Sequence, residues 1–297
     1  MDKLIHGTAA DETIRFMAAI TTDTIIEAVR RHQTSPTVTA AFGRVMTGTL
    51  LLGASLKEFD RLSVKIDSIG AVGGIVAETN KEGTVRGYVR NPRVEVPTKQ
   101  NGKFDVSAII GDGTFYVIRE SGYDIGLHRE PYVGSVPIVS GEIAEDFAFY
   151  LAKSEQIPSA VLLGVLLQNS APFVTASGGV ILQMMPGADE KVISEIEKNI
   201  QEAPHLTAII REGARVNELL QMALGKIDFS ILEEKEVAFS CNCSFERAVS
   251  LISSLGKTEV GAMLEEDQGA VMTCGFCNET YRLNEDDLRE ILETEMV

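Results

Sequence analysis

Apolar residues change their spacing along this 297-residue chain, and the changes predict different structures in different stretches. Over residues 1–185 short alternating runs dominate. Leu62-Ser-Val-Lys-Ile-Asp alternates as a half-buried strand, and residues 74–79 and 85–89 follow it, separated by a loop at 80–83 with hairpin composition. Residues 14–21, 114–119, 160–167 and 180–184 read as further strands. Helical spacing interrupts them. Residues 23–32 carry Ile25, Ile26 and Val29 on one side, and Ile143, Phe147 and Leu151 recur every four residues within 141–151. Ser35 followed by Pro36 is an N-cap and first-turn pair, opening a helix through Leu52 that is apolar on nearly all sides and therefore buried. Runs of strands broken by helices, without strict alternation, predict an α+β sheet domain.

Pro186-Gly187 ends that pattern. Residues 186–230 read as a connector of three short amphipathic helices. Their stripes are Ile193, Ile196 and Ile200; then Leu206, Ile209 and Ile210; then Val216, Leu219, Leu220 and Leu224. Something must cover those faces. Residues 231–297 form a third region, with a strand at 237–239, a helix capped by Ser244, a second over 257–264, and a last one capped by Asn284 that carries Leu288, Ile291 and Leu292.

Composition narrows the class. Hydrophobic content of 44% with 24% charged residues is ordinary for a globular protein. The net charge of −16 would be repelled by a phosphate backbone, so sequence-blind nucleic-acid binding is disfavoured. From residue 231 onward there are 15 acidic residues against 5 basic ones, the opposite of a DNA-reading zinc ribbon. No apolar run reaches the roughly 18 residues needed to cross a bilayer. The N-terminus has no basic stretch followed by an apolar one, so the expectation is a cytoplasmic protein without membrane association.

In that compartment thiols stay reduced, and four clustered cysteines mean metal binding or redox sensing. Cys241-Asn-Cys243 and Cys274-Gly-Phe-Cys277 are the only cysteines. Two close pairs separated by a small-module length suit a tetrahedral site with four sulfur ligands, and Zn²⁺, one per chain, is the expected ion. Gly275 is expected to permit the tight turn around the metal. The module is too small to be secure on its own apolar core, so the metal should supply most of its stability. Chemistry alone leaves open whether the site is a permanent clip or a switch.

These residues, with Cys241-Asn-Cys-Ser-Phe-Glu-Arg and Cys274-Gly-Phe-Cys-Asn-Glu-Thr-Tyr in full, resemble the C-terminal switch of the heat shock protein 33 family, redox-regulated bacterial holdase chaperones. Arg86-Gly-Tyr-Val-Arg-Asn-Pro92, Val139-Ser-Gly-Glu-Ile-Ala-Glu-Asp146 and Ser154-Glu-Gln-Ile-Pro-Ser159 resemble segments of the same family's N-terminal domain. The resemblance implies that Cys241, Cys243, Cys274 and Cys277 hold zinc in a reduced, inactive form. It also implies that oxidation joins Cys241 to Cys243 and Cys274 to Cys277, releases zinc, unfolds the module and connector, and exposes a surface for unfolding client proteins. A homodimer on activation is a further implication. Two departures stand out: the stretch from Ser121 to His128 is longer than the family pattern, and Arg282 replaces an expected aromatic or aliphatic residue.

Other chemistry is weakly signalled. Gly70-Ala-Val-Gly-Gly74 lacks the Lys-Ser/Thr of a phosphate loop and reads as a turn. Glu142, Glu145 and Asp146 read as a solvated face or capping charges. His6, His32, His128 and His205 are scattered, and no G-x-S-x-G motif is present, so there is no positive case for an enzyme. The competing readings are an enzyme with a static zinc module and a nucleic-acid-binding ribbon. The favoured one is an ATP-independent chaperone whose connector stripes, once uncovered, bind clients.

Overall fold

A computed structural model describes residues 1–54, 56, 60–121, 130–169 and 173–294 of the chain. Of the long stretch from Ser121 to His128, all but the first residue lies outside these. The chain divides into two compact units, Met1–Ser240 and Cys241–Val297.

The first unit opens with the hairpin β1 (Lys3–Ala9) and β2 (Ile14–Ile20), then α1 (Thr22–His32) and α2 (Pro36–Gly53). A run of antiparallel strands follows: β3 (Arg61–Ser68), β4 (Gly74–Asn80), β5 (Thr84–Val89), then the short α3 (Val106–Ile110), β6 (Gly113–Glu120) and β7 (Tyr132–Pro137). Next come α4 (Ala144–Lys153), β8 (Ser159–Leu167) and β9 (Val174–Met184). Three helices, α5 (Glu190–Glu202), α6 (Leu206–Arg211) and α7 (Val216–Leu224), lead to β10 (Phe229–Glu236) and β11 (Ala238–Phe239). The fold class is α+β. One sheet has the order β10-β1-β2-β9-β8, the other β11-β5-β4-β3-β6-β7.

The expected buried helix is α2, in which every residue except Pro36 and Arg44 is buried. It packs on β8 and β9 of one sheet and on β3, β4 and β5 of the other. Glycines let it come close: a Cβ on Gly43 would lie 2.7 Å from Val165, and one on Gly48 would lie 2.5 Å from the Phe147 ring. Strand alternation then sorts side chains between two cores. Leu4, Met17, Ala19 and Ile181 face α2, while Ile5, Phe16, Ala18, Val180 and Leu182 face the other way and are covered by α5, α6 and α7.

Residues 231–240, assigned by sequence to the cysteine region, belong to the larger unit and hold most of β10 and all of β11. The expected boundary at residue 230 falls inside β10, which pairs antiparallel with β1 from Lys3↔Glu236 to Ala9↔Phe229. His6 Nε2 lies 2.9 Å from Glu233, its register partner, and Lys3 reaches diagonally to Glu234. No local pattern reveals this pairing, because its two halves stand 220 or more positions apart.

The second unit holds α8 (Phe245–Ser253), α9 (Lys257–Glu266), the hairpin β12 (Gly269–Thr273) and β13 (Thr280–Asn284), and α10 (Glu285–Thr294). Its core is small: Ile252, Val260, Leu283, Leu288 and Ile291, with Val249, Met263, Leu264, Ala270, Met272 and Leu292 packed against them.

Candidate metal centre

Two local structures carry the sulfurs. Cys241 and Cys243 lie in irregular backbone just before α8. Ser244 caps that helix, its hydroxyl accepting from the Arg247 amide at 3.2 Å, and the Arg247 guanidinium donates back to the Asn242 carbonyl at 2.7 Å. Helix start and C-x-C segment are thereby fixed together. Cys274 and Cys277 sit in the loop of the β12–β13 hairpin, whose register runs from Gly269↔Asn284 to Thr273↔Thr280. The Cys274 amide donates to the Glu279 carbonyl and the Asn278 amide to the Cys274 carbonyl, both at 2.8 Å, which closes the loop into a knuckle.

The residue that takes the left-handed backbone there is Asn278, at φ 57°. Gly275 has no such angle, and a Cβ on it would meet nothing within 4 Å. The expectation that Gly275 permits the turn is therefore corrected: Asn278, a residue that tolerates this conformation, makes the reversal. Arg282 also becomes intelligible, because it points to the exposed side of β13 while Leu283 faces the core.

The two local structures bring all four sulfurs within 4.8 Å of one another, the one such group of potential metal ligands among the described residues. Cys241 Sγ is 3.7 Å from Cys274 Sγ, and Cys243 Sγ is 3.3 Å from Cys277 Sγ. A tetrahedron with metal–sulfur bonds of about 2.3 Å has edges of about 3.8 Å, so the arrangement fits a metal ion of zinc's size. Electrostatics agree. Burial pushes the thiols of Cys274 and Cys277 up, so a cluster of thiolates needs a cation at its centre. The Tyr281 hydroxyl donates to Cys243 Sγ at 3.1 Å. Sequence reading missed Tyr281 and Arg247; the available signal was their position, four residues beyond a ligand of each pair.

The connector stripes lie elsewhere, in the larger unit. Ile196, Leu206, Ile210, Leu219, Leu220 and Leu224 are buried against the sheet, Ile200 and Ile209 pack partly buried beside them, and Ile193 is half-buried. The remaining sequence candidates are structural. Gly70 lies in a turn where a Cβ would lie 2.2 Å from the Ile110 carbonyl oxygen. Asp146 is 1% exposed and accepts from the amides of Val139, Ser140 and Ile143 at 2.8, 3.0 and 3.0 Å. Glu142 pairs with Arg44 and Lys99. His6 faces Glu233, His32 stands edge-on to Phe42, His205 precedes α6, and His128 lies outside the described residues.

The fold is shared with known proteins. The family model described as Hsp33 protein matches residues 2–284. A 33 kDa chaperonin of Desulforamulus reducens is 44% identical over 98% of this chain and 97% of its own. Another, of Bacillus pumilus, is 45% identical over 99% of both chains. The crystal structure of the 33 kDa chaperonin (heat shock protein 33 homolog) of Thermotoga maritima superposes with a TM-score of 0.89 at 34% identity, covering 99% of this chain and 98% of that one. Fold, site and relatives define a chaperone rather than an enzyme. The chain belongs to the Hsp33 family. No helix among the described residues is long and apolar enough to cross a membrane.

Proposed function

We propose that this chain is a redox-regulated, ATP-independent holdase of the cytoplasm, held inactive while Cys241, Cys243, Cys274 and Cys277 bind one Zn²⁺. The observation that carries this reading is the convergence of four sulfurs in a unit whose apolar cluster holds, among the described residues, just five buried side chains. The bound ion supplies a cross-link of four bonds, on the order of 10–16 kcal/mol in zinc-finger peptides.

Activation begins at the thiols. One thiolate sulfur attacks an oxygen of a hydroperoxide, the O–O bond breaks, and the departing hydroxide takes a proton to become water. A second thiolate displaces the sulfenic hydroxyl, which leaves as a second water, and the disulfide forms. Two hydrogen peroxide molecules thus convert four thiols into two disulfides and four waters. The pairs are Cys241 with Cys243 and Cys274 with Cys277, and the metal-binding set is lost.

Pairing decides the consequence. Disulfides within each turn staple nothing distant, so the small unit unfolds. Bonds following the present sulfur contacts, Cys241–Cys274 and Cys243–Cys277, would span 33 and 34 positions and cross-link it, stabilising it by about 3–4 kcal/mol. In the active state α5, α6 and α7 leave the sheet, and Ile193, Ile196, Ile200, Leu206, Ile209, Ile210, Leu219, Leu220 and Leu224 become available to unfolding proteins, with homodimerisation accompanying the change. The acidic composition keeps the opened chain soluble and turns away nucleic acid.

The test measures zinc and thiol content before and after peroxide at elevated temperature, maps disulfides by mass spectrometry, and follows a client's aggregation by light scattering. Expected are one zinc and four thiols before, none of either after, local disulfides, and suppressed aggregation only after oxidation. Cys241→Ser should lower zinc content. A reduced protein that is metal-free with α8 and α10 fully ordered, or cross-paired disulfides in the active form, overturns the reading.

A further inference from the structure

The sulfurs of the centre accept hydrogen bonds of two kinds. Cys274 accepts from the backbone amides of Phe276 and Cys277, and Cys277 from that of Glu279. Such donors belong to the knuckle itself and come with any residue at those positions. Cys243 accepts instead from a side chain, the Tyr281 hydroxyl at 3.1 Å. Tyr281 is the second residue of β13, paired across the hairpin with Met272, and half-buried, whereas its neighbours Thr280 and Arg282 are exposed. Strand alternation therefore delivers one phenol, and only that side chain of the three, to the sulfur.

A hydrogen bond to a thiolate has two effects. It fixes the direction of the sulfur's lone pairs, as outer partners of metal ligands generally do. It also withdraws electron density from the pair that would attack a peroxide oxygen. We infer that Tyr281 is a positioning residue for the redox step: its hydroxyl holds Cys243 Sγ in place as a ligand and slows that sulfur's attack on a hydroperoxide. The inference rests on the reading of the four cysteines as a zinc-bound switch. The step it governs is the one described above, in which Cys243 sulfur forms an S–O bond as the peroxide O–O bond breaks and hydroxide leaves to become water.

Tyr281→Phe in the full-length protein keeps the ring and its packing while deleting the donor. Zinc affinity, measured by competition with a chromophoric chelator, should fall about tenfold. Oxidation of Cys243 by hydrogen peroxide, followed by mass spectrometry of its peptide, should accelerate roughly fivefold, the rate equivalent of one hydrogen bond. In the Co²⁺-loaded protein the thiolate-to-metal charge-transfer band should move to lower energy, since an unbonded sulfur gives up its electron more readily. Thr280→Val serves as the control. It removes a neighbouring hydroxyl that lies 3.3 Å from that of Thr273, on the exposed side of the strand, and should leave all three readouts at the parent values.

A Tyr281→Phe protein matching the parent in affinity, Cys243 oxidation and Co²⁺ spectrum overturns the inference alone, provided the parent binds zinc. Equal shifts in Thr280→Val overturn it as well, because they would mark a general loosening of the hairpin. A parent that takes up neither metal overturns the zinc-switch reading first, and this inference with it.

Discussion

The two units of the chain solve the same stability problem with opposite means. In Met1–Ser240 two apolar clusters lie on either side of one sheet, and Phe16, Phe42, Phe115, Phe147 and Tyr150 are all wholly out of water. Each such side chain contributes about 1.5–3 kcal/mol by burial, so this unit needs no cross-link. In Cys241–Val297 five buried side chains gather between three short helices and a hairpin, beside four sulfurs. A unit of that size falls near the limit at which metals or disulfides become necessary. On the proposed function, the difference places sensitivity to oxidants in the small unit, which has the smaller core and all four thiols. In the active state proposed above, the larger part keeps both sheets and α2 and gives up only the layer of α5, α6 and α7.

Metal removal should split the units most sharply. A strong chelator added to the reduced protein is expected to abolish amide-exchange protection in α8, α9, α10 and the β12–β13 hairpin. Strands β3, β4 and β6 should keep theirs. The loss corresponds to metal-binding free energy on the order of 10 kcal/mol, far beyond what the small core can offset. Uniform loss of protection across both units would end the contrast.

Two substitutions probe the larger unit at a level of a few kcal/mol. Leu220, on α7, is wholly buried against the sheet, and Leu220→Ala should cost about 2–5 kcal/mol while making the three-helix layer easier to detach. The measurable result is a lower denaturant midpoint together with faster activation by peroxide, at unchanged zinc affinity. Asp146→Ala removes an acceptor shared by three backbone amides and should cost about 3 kcal/mol. Its effect belongs to the larger unit, so Co²⁺ or Zn²⁺ titration should not distinguish that variant from the parent. A changed metal affinity in either variant would show that the units are not separable in this way.

Sequence patterns revealed most of this architecture where the signal was local. The alternation of Leu62, Val64 and Ile66 lies in β3, the Ser35-Pro36 pair opens α2, and Asn284 caps α10, accepting from the Asp286 and Asp287 amides at 2.9 and 3.1 Å. The four sulfurs converge as their spacing implied. What escaped was set by partners far away in the chain. β1 holds His6 and Gly7 in its interior and looks broken, yet a Cβ on Gly7 would lie 2.0 Å from the Ser230 carbonyl oxygen, so only glycine lets β10 approach. β10 shows no strand signal of its own, because Glu233, Glu234, Lys235 and Glu236 mask a strand whose partner is near the N-terminus. β7 carries Gly134 and Pro137, poor strand residues that an edge position tolerates. Asp146 reads from sequence as a capping charge or part of a solvated face; it does cap α4, and what escaped is its burial and the further amides of Val139 and Ser140 that converge on it.

Acid provides the finest test of the contrast, because it acts on the two units by different chemistry. In the larger unit the Arg30 guanidinium, bound through two hydrogen bonds of 2.7 Å, and then Arg31, at 2.6 Å, hold the Glu27 carboxyl down at about 2 against burial, which opposes them. A carboxylate depressed in the folded state adds stability above its unfolded pKa of about 4.3 and loses it as pH falls toward about 2. The side chain is one-third exposed, so solvent screening limits the contribution to below about 1 kcal/mol. Glu27→Gln should therefore lower the denaturant midpoint of the larger unit slightly at pH 7, and the gap from the parent should close as pH is taken from 4.5 to 2. The smaller unit follows another course over the same range, since protons compete with the metal for four sulfurs and its order is lost whatever occupies position 27. Denaturation must then be read from probes in β3 or α2. A gap that persists undiminished at pH 2 would mean that Glu27 acts through packing rather than through its charge.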